Sequence, residues 1–251
     1  MGKEAYSSFQ SDLGNDRKMK TKIFNKKQCL AAPLQGWLED SGYAYLAERL
    51  KSNIDETISF NGKTKNCCVA MVDAVGSTKV TAHLSRENTC KYYGIFLNAM
   101  ALIARECGAC VVKNIGDSLL YYFCDEKNPD GRSFTKTLEC GMIMLKCSKI
   151  VNKSMHDAGL PSVSYRISAD FGTVMLAKSV TASSDDIFGP TVNICSKINR
   201  MADPNSMIIG NDLYQNVKNI QGYSFEQKSG VSLGFKFDYP IFSISQKTSN
   251  F

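Results

Sequence analysis

Two aspartates, Asp73 and Asp117, occupy positions where a carboxylate can hold a divalent cation. Asp73 follows the apolar run 67–72, and the chain then turns through Gly76, so that backbone N–H groups after it can face phosphate oxygens. Asp117 lies where two β-rich runs of residues 110–123 are joined. Mg²⁺ and Mn²⁺ prefer carboxylate oxygens and leave positions open for phosphate. A strand-end aspartate alone often only caps a helix, so the pair is what indicates a metal and triphosphate site.

The periodicity of the chain predicts the elements that position these two carboxylates. Helices alternate with β-hairpins rather than with single parallel strands, which favours the α+β class. We expect a mostly antiparallel sheet flanked by helices. The predicted strands are 67–72, the hairpin 110–123, 164–170, 173–177, 207–209, 223–227 and 237–245, and the predicted helices are 85–107, 134–156, 190–202 and 212–218.

Composition limits the class of protein. The 251 residues are 43% hydrophobic, enough for a sizeable core, and no apolar run approaches the roughly 18 residues of a membrane span. The first residues lack the apolar centre of a secretory signal, so we expect no transmembrane segment and a cytoplasmic location. The ten cysteines show no framework spacing and are expected to be reduced core residues. Cys107 and Cys110 form a C-x-x-C without the second pair that zinc would need.

The basic charge is concentrated at the N-terminus. Residues 1–27 contain seven Lys or Arg against three acids, whereas the whole chain has a net charge of +6. A solvated tail is a better interpretation of this run than a nucleic-acid or membrane contact, so no nucleic-acid partner is expected. Residues 37–58 have apolar groups at helical spacing, which predicts a short helix. We therefore separate an N-terminal segment, 1–60, from a catalytic domain, 61–251.

Three motifs in order resemble one family. They are Val69–Thr78 (VAMVDAVGST), Lys113–Asp117 (KNIGD) and Asp186–Asn193 (DIFGPTVN), the last followed by the helix 194–202. Together they resemble the class III nucleotidyl cyclase catalytic domain, over about residues 65–245. The resemblance implies a ferredoxin-like, palm-type sheet, mostly antiparallel and flanked by helices. The resemblance implies an adenylate cyclase that converts ATP to 3′,5′-cyclic AMP and pyrophosphate with two Mg²⁺ or Mn²⁺ ions.

The resemblance also implies roles for individual residues. Asp73 and Asp117, with the carbonyl of Ala74, would bind the two metal ions. The turn formed by Gly76, Ser77 and Thr78 would receive the β- and γ-phosphates through its backbone.

Lys113 and Asp186 match the pair that recognises the base in this family. A lysine can donate to N1 of adenine and an aspartate can accept from its exocyclic amine. Guanine has a donor and an acceptor, respectively, at these two positions, so both contacts would be reversed. An enzyme of this family that uses GTP would be expected to have an acidic residue instead of Lys113 and a small polar one instead of Asp186. The sequence therefore favours ATP.

Two positions depart from the family pattern. Asn193 matches the asparagine that positions the ribose, but Lys197 stands where the family places an arginine near the α-phosphate. Lysine supplies charge without the bidentate fork, and Arg200 lies on nearly the same helical face. No lysine precedes Gly234, where the family usually has one that faces the phosphates, so either Lys236 or Lys228 takes this role or the contact is missing.

The resemblance implies a head-to-tail homodimer with two equivalent sites shared between the subunits. One chain would supply the metal ligands and the other Lys113, Asp186, Asn193 and Lys197. The long helices and the segment 37–58 are candidates for the interface. Lys197 keeps open the alternative of a degenerate cyclase domain that binds nucleotide or a partner without turnover. A diguanylate cyclase is disfavoured because the chain has no Gly-Gly-acidic-Glu-Phe turn.

Overall fold

The structure, a computed structural model, describes residues 58–124, 132–179, 185–232 and 238–247, together with Gly42, Ala44, Tyr45 and Glu48. Within the predicted helix 37–58, Ala44, Tyr45 and Glu48 are helical, Gly42 is in a turn and Ile58 begins a strand. The other residues of this predicted helix lie outside the described part of the chain. The elements from Ile58 onward are β1 (Ile58–Ala74), α1 (Ser77–Thr81), α2 (Arg86–Glu106), β2 (Cys110–Ile115), β3 (Ser118–Phe123), α3 (Arg132–Lys146), α4 (Ser148–Asp157), β4 (Tyr165–Ser179), β5 (Asp186–Phe188), α5 (Pro190–Asn199), β6 (Met207–Gly210), α6 (Asn211–Val217), β7 (Tyr223–Val231) and β8 (Tyr239–Gln246).

These strands form one sheet in the order β2-β3-β1-β4-β6-β8-β7, and β5 pairs with residues 175–177 near the C-terminal end of β4. All the pairings are antiparallel except that of β4 with β6. The order β2-β3-β1-β4, with helices between β1 and β2 and between β3 and β4, is that of a ferredoxin-like unit. The predicted α+β class, with helices on a mostly antiparallel sheet, is confirmed.

Each face of the sheet buries a different set of helices. Cys68, Ala70 and Val72 of β1 belong to the core formed with α2, α3 and α4. The alternate β1 residues Cys67, Val69 and Met71 pack with Cys195 of α5 on the opposite face. Because successive strand side chains point to opposite faces, Asp73 continues the set that faces α5. The carboxylate therefore lies at the end of the strand, on the side covered by α5.

Two predicted elements differ in the structure. The expected helix 134–156 is two helices, α3 and α4, interrupted at Cys147. Helix α3 packs on β1 and β3, whereas α4 packs on α2. The spacing of apolar residues continues across Cys147, so the sequence does not indicate where one helix ends and the next begins. The expected strands 164–170 and 173–177 are the single strand β4, because Phe171 and Gly172 keep pairing with β1. A Cβ at Gly172 would come within 2.5 Å of Thr191 Oγ1, so this glycine allows α5 to approach and does not form a turn.

The sequence interpretation missed β5 and the first part of β1, residues 58–66. The expectation that all cysteines are reduced is wrong for Cys67 and Cys124, which form a disulfide bond. Cys68 pairs with Phe123, so Cys67 and Cys124 lie on neighbouring strands, with Cα atoms 4.6 Å apart. This distance is within the range that a disulfide spans. Among the described helices, none combines the length and apolar composition that crossing a membrane requires.

Candidate active site

Asp73, at the end of β1, is held by two neighbouring strands. Ser118 Oγ at the start of β3 donates to Asp73 Oδ1 at 2.5 Å. Arg166 of β4 donates to Oδ2 from Nε at 3.1 Å and from Nη2 at 3.0 Å. Both residues are the direct cross-strand partners of Asp73. The carboxylate thus has a fixed orientation at the edge of the sheet, in a partly buried ion pair.

Asp117 lies at the hairpin tip, as predicted, between the end of β2 and the start of β3. Gly116, with φ at 62°, supplies the left-handed residue that the tight turn needs. Ser77 Oγ donates to Asp117 Oδ2 at 2.5 Å, which links the hairpin tip to the start of α1. Because Ser118 is the cross-strand partner of Asp73, the two carboxylates lie at the same edge of the sheet.

The donor set fits a hard divalent cation. Asp73 and Asp117 offer carboxylate oxygens, and the carbonyl of Ala74 follows directly after Asp73. No cluster of three or more His, Cys, Asp or Glu side chains suited to a metal occurs in the described part of the chain. Two carboxylates without a full protein cage are typical of Mg²⁺ sites, which keep ligand positions for water and phosphate.

Arg166 is a site residue that the sequence interpretation missed. It is the second residue of β4, far from Asp73 in the sequence, and only the strand register brings the two together. An arginine near the start of a strand has no distinctive local pattern. Its guanidinium places a permanent positive charge beside Asp73, where it also has donors for a phosphate oxygen.

The predicted phosphate turn leads from β1 into the short helix α1. Gly76 is left-handed, with φ at 68°, and its carbonyl accepts from the N–H groups of Lys79 and Val80 at 3.0 and 3.2 Å. Ser77 is buried and its hydroxyl is used by Asp117, whereas Thr78 is exposed. The turn therefore lies beside Asp117 at the C-terminal end of β1.

Lys113 of β2 and Asp186 of β5 come together although they are 73 residues apart. Lys113 Nζ forms an ion pair with Asp186 Oδ2. Asp186 Oδ1 accepts from the backbone N–H of Ile187 at 2.8 Å, which orients the carboxylate. The Lys113 side chain is 44% exposed and the Asp186 side chain 19%, so both are partly accessible to solvent. Lys113 Nζ also lies over the ring of Phe188, 5.7 Å from its centroid.

Asn193 and Lys197 lie on the exposed face of α5. They are four residues apart and therefore neighbours on one side of the helix. Arg200, which is also exposed, is the residue that ends α5. Both predicted catalytic side chains thus project away from the sheet.

A buried polar network fixes α5 on the sheet. Asn199 Nδ2 donates to the carbonyl of Met71 and to Ser168 Oγ, both at 3.2 Å. Ser168 Oγ donates to the carbonyl of Cys195 at 2.9 Å. Cys195 Sγ donates to the carbonyl of Val69 at 3.5 Å, and burial raises the pKa of this thiol to about 12, so it stays a neutral donor. The network holds the helix directly over β1 and β4.

The structure brings the predicted residues into two groups rather than one. The first group, at the carboxylate edge, contains Asp73 and Asp117 with Ser77, Ser118 and Arg166. The second group is the Lys113–Asp186 pair on β2 and β5. Asn193 and Lys197 lie on α5, the element that follows β5 in the chain, and are counted with this second group.

Of the lysines considered for the C-terminal phosphate contact, Lys228 of β7 pairs with Glu226, with 2.9 Å between Nζ and Oε2. Gly234 and Lys236 lie outside the described residues. Cys107 and Cys110 are free thiols.

Comparisons with known proteins give the family. The family model for the adenylate and guanylate cyclase catalytic domain matches residues 61–244. An adenylate cyclase of Streptomyces coelicolor is 25% identical over 145 residues, which cover 58% of this chain and 32% of that protein. The chain thus matches about a third of the length of this curated relative.

Two solved structures resemble the fold. The adenylyl cyclase CyaB of P. aeruginosa has a TM-score of 0.67 at 20% identity, over 75% of this chain and 98% of CyaB. The guanylate cyclase domain of RhGC from Catenaria anguillulae, solved with GTP, has a TM-score of 0.64 at 15% identity, over 74% of this chain and 100% of that domain. With a family match across most of its length, this chain belongs to the adenylate and guanylate cyclase catalytic domain family, the class III nucleotidyl cyclases.

Proposed function

We propose that this chain is an adenylate cyclase, which converts ATP to 3′,5′-cyclic AMP and pyrophosphate. The observation that supports ATP most directly is the accessible Lys113–Asp186 pair. Its ammonium can donate to N1 of adenine, and its carboxylate can accept from the exocyclic amine. Guanine presents a donor at N1 and an acceptor at O6, so both contacts would be mismatched. An unpaired polar group at a recognition site costs more than a missing apolar contact, which gives the pair its selectivity.

In the proposed reaction, the ribose 3′-hydroxyl gives up its proton to solvent and its oxygen attacks the α-phosphorus in line. The bond from that phosphorus to the oxygen bridging the α- and β-phosphates breaks, and pyrophosphate leaves with the bridging oxygen. The amide of Asn193 orients the ribose, and the ammonium of Lys197 faces the charge that builds on the α-phosphate. Lysine lacks the bidentate fork of arginine, so this stabilisation is weaker than a guanidinium would provide.

Asp73, Asp117 and the carbonyl of Ala74 would hold Mg²⁺ or Mn²⁺, with two ions per site. Such ions supply charge neutralisation for the triphosphate and lower the pKa of the attacking hydroxyl. Ser118 and Ser77 orient the two carboxylates through their hydroxyl groups. The backbone of Gly76, Ser77 and Thr78 and the guanidinium of Arg166 lie at the same edge and would bind the β- and γ-phosphates.

We propose a homodimer in which two chains complete each site. Within one chain the carboxylate edge and the Lys113–Asp186 pair form separate groups, and Asn193 and Lys197 lie exposed on α5. A head-to-tail pair with twofold symmetry would place the carboxylate edge of each chain opposite the second group of the other, which gives two equivalent sites.

The cytoplasmic location and the domain boundary near residue 60 remain predictions.

Product analysis tests the proposal. Purified protein of residues 1–251 is incubated with ATP and either Mg²⁺ or Mn²⁺, and the products are separated by chromatography. We expect cyclic AMP and pyrophosphate in equal amounts from the wild type and none above background from Asp73→Ala. Asp157→Ala is the matched control, because Asp157 is an exposed acid of α4 paired with Lys153. No cyclic AMP with either metal ion would contradict the proposal.

A second candidate is a cyclase domain that binds nucleotide without turnover. Lys197, where the family has an arginine, is the observation that favours it. Binding of ATP without any cyclic nucleotide product would support this candidate, and Lys197→Arg would then be the first variant to test for recovered activity.

A further inference from the structure

Phe188 provides Lys113 with a second partner besides Asp186. The ammonium of Lys113 lies over the Phe188 ring, 5.7 Å from the centroid, while it also pairs with the carboxylate of Asp186. A cation over an aromatic face within about 6 Å is attracted by the ring quadrupole. Lys113 is therefore held by two groups of different chemistry, an anion and an aromatic ring.

The position of the ring is itself fixed. Phe188 is the last residue of β5 and pairs with Met175 of β4. Phe60 of β1 packs edge-on against it, with 5.3 Å between the ring centroids. Gly189 follows with φ at 140°, and its α-carbon lies so close to β4 that a Cβ would come within 3.2 Å of the Thr173 carbonyl. Pairing with β4 therefore fixes the backbone that carries the half-buried Phe188 ring, and the Phe60 ring, itself 54% exposed, contacts one side of it.

The two partners of Lys113 differ in what happens when a base binds. Asp186 is required for the exocyclic amine of adenine, so its bond to Lys113 weakens or is shared in the complex. Lysine has a flexible four-carbon stem and several rotamers, and loss of its anchor would let the ammonium leave the site. The ring does not compete with the base for hydrogen bonds, so its attraction for the ammonium persists.

We propose that Phe188 is a positioning residue for base recognition, which keeps the Lys113 ammonium directed at the base when Asp186 turns to the substrate amine. This inference rests on the proposed function. The expected size follows from the cation–π attraction at a partly exposed site, about 0.5–1 kcal/mol, which corresponds to a change of roughly 2- to 5-fold in affinity.

A double-mutant cycle tests whether Phe188 acts through Lys113. Affinity for the non-cyclisable analogue α,β-methylene ATP, with Mg²⁺, is measured by calorimetry for the full chain. We expect Phe188→Leu to weaken binding about 2- to 5-fold in the wild type but not in the Lys113→Met background. Phe188→Trp, which keeps the aromatic face, should retain wild-type affinity. Phe225→Leu, a half-buried ring of β7 that packs on Tyr214, is the matched control and should have no effect.

Equal weakening by Phe188→Leu in both backgrounds would overturn the proposal, because the ring would then contact the base itself or act only on the fold. No weakening in either background would overturn it as well. A wild type that binds the analogue but makes no cyclic AMP would contradict the proposed function alone, since the cycle is measured on binding.

A measurement without nucleotide tests the contact between Lys113 and Phe188 separately from the proposed function. In spectra of protein labelled with ¹³C at the lysine ε-carbon, the Lys113 signal is assigned by its loss in Lys113→Met. Its ε-protons should be shifted upfield by the Phe188 ring and should return toward the position of exposed lysines in Phe188→Leu. An unchanged Lys113 signal in Phe188→Leu would refute the contact, whether or not the protein binds nucleotide.

Discussion

Alanine substitutions at the two asparagines of α5 should separate the stability of the helix from its chemistry. Asn199 is 2% exposed, and its amide donates to the Met71 carbonyl, to Ser168 Oγ and, at 3.5 Å, to the Arg166 carbonyl. Removing this amide leaves buried acceptors without their hydrogen-bond donor and opens a small cavity. Together these two effects should lower the free energy of unfolding by about 2–3 kcal/mol. Asn193 is exposed, so its truncation should cost less than about 0.5 kcal/mol.

Thermal unfolding and product formation, measured on the same preparations, check this prediction. We expect Asn199→Ala to lower Tm by roughly 4–12 °C, since 1 kcal/mol corresponds to about 2–4 °C in a domain of this size. Asn193→Ala should keep Tm within about 2 °C and lower kcat about 100-fold, the cost of losing reactant orientation. Activity is measured at a temperature where both variants are folded. An unchanged Tm in Asn199→Ala, or full activity in Asn193→Ala, would refute the assignment of anchor and catalytic faces on α5.

Three further predictions follow from the site and the core. Lys197→Arg should raise kcat roughly 3- to 10-fold, because a guanidinium can form two hydrogen bonds to the α-phosphate, and an unchanged or lower kcat would contradict the role of this position. Equal mixing of the inactive Asp73→Ala protein with the weakly active Asn193→Ala protein should restore about a quarter of wild-type activity, since half of the dimers then have one intact site of two. No recovery after subunit exchange would contradict shared sites. Burial raises the pKa of the Asp170 carboxyl from 3.8 to about 6, although Tyr239 donates to it at 2.8 Å. The folded state thus favours the neutral acid, a contribution present below about pH 4 and lost as pH rises through 6. The free energy of unfolding of the wild type, relative to Asp170→Asn, should therefore fall by about 2 kcal/mol between pH 4 and 7 in denaturant titrations. A difference that does not change with pH would show that Asp170 is not a buried titrating group.

The sequence predicted those features that depend on short stretches of chain. Asp73 at a strand end and Asp117 at a hairpin tip follow from local apolar periods and turn residues, and both were placed correctly. Features that depend on pairing between distant segments were not predictable in this way. Arg166 reaches Asp73, and Cys67 reaches Cys124, only because β4 and β3 flank β1 in a particular register. These contacts have no local sequence pattern.

The contact between Lys113 and Phe188 illustrates the same limit at the candidate site. The family resemblance implied that Lys113 and Asp186 act as a pair, and the structure places them in contact. The ring beside them belongs to β5, a strand of three residues that is too short to produce a recognisable period. Its role in positioning the lysine could be inferred only from the folded chain.

The most direct test of adenylate cyclase activity is a competition between the two nucleotides in one reaction. Wild-type protein receives ATP and GTP at equal, saturating concentrations with Mn²⁺ or Mg²⁺, and cyclic AMP and cyclic GMP are quantified together. The account predicts that cyclic AMP exceeds cyclic GMP at least about tenfold, because the Lys113–Asp186 pair matches adenine and mismatches guanine. An excess of cyclic GMP would leave the family assignment intact and contradict the proposed recognition of the base.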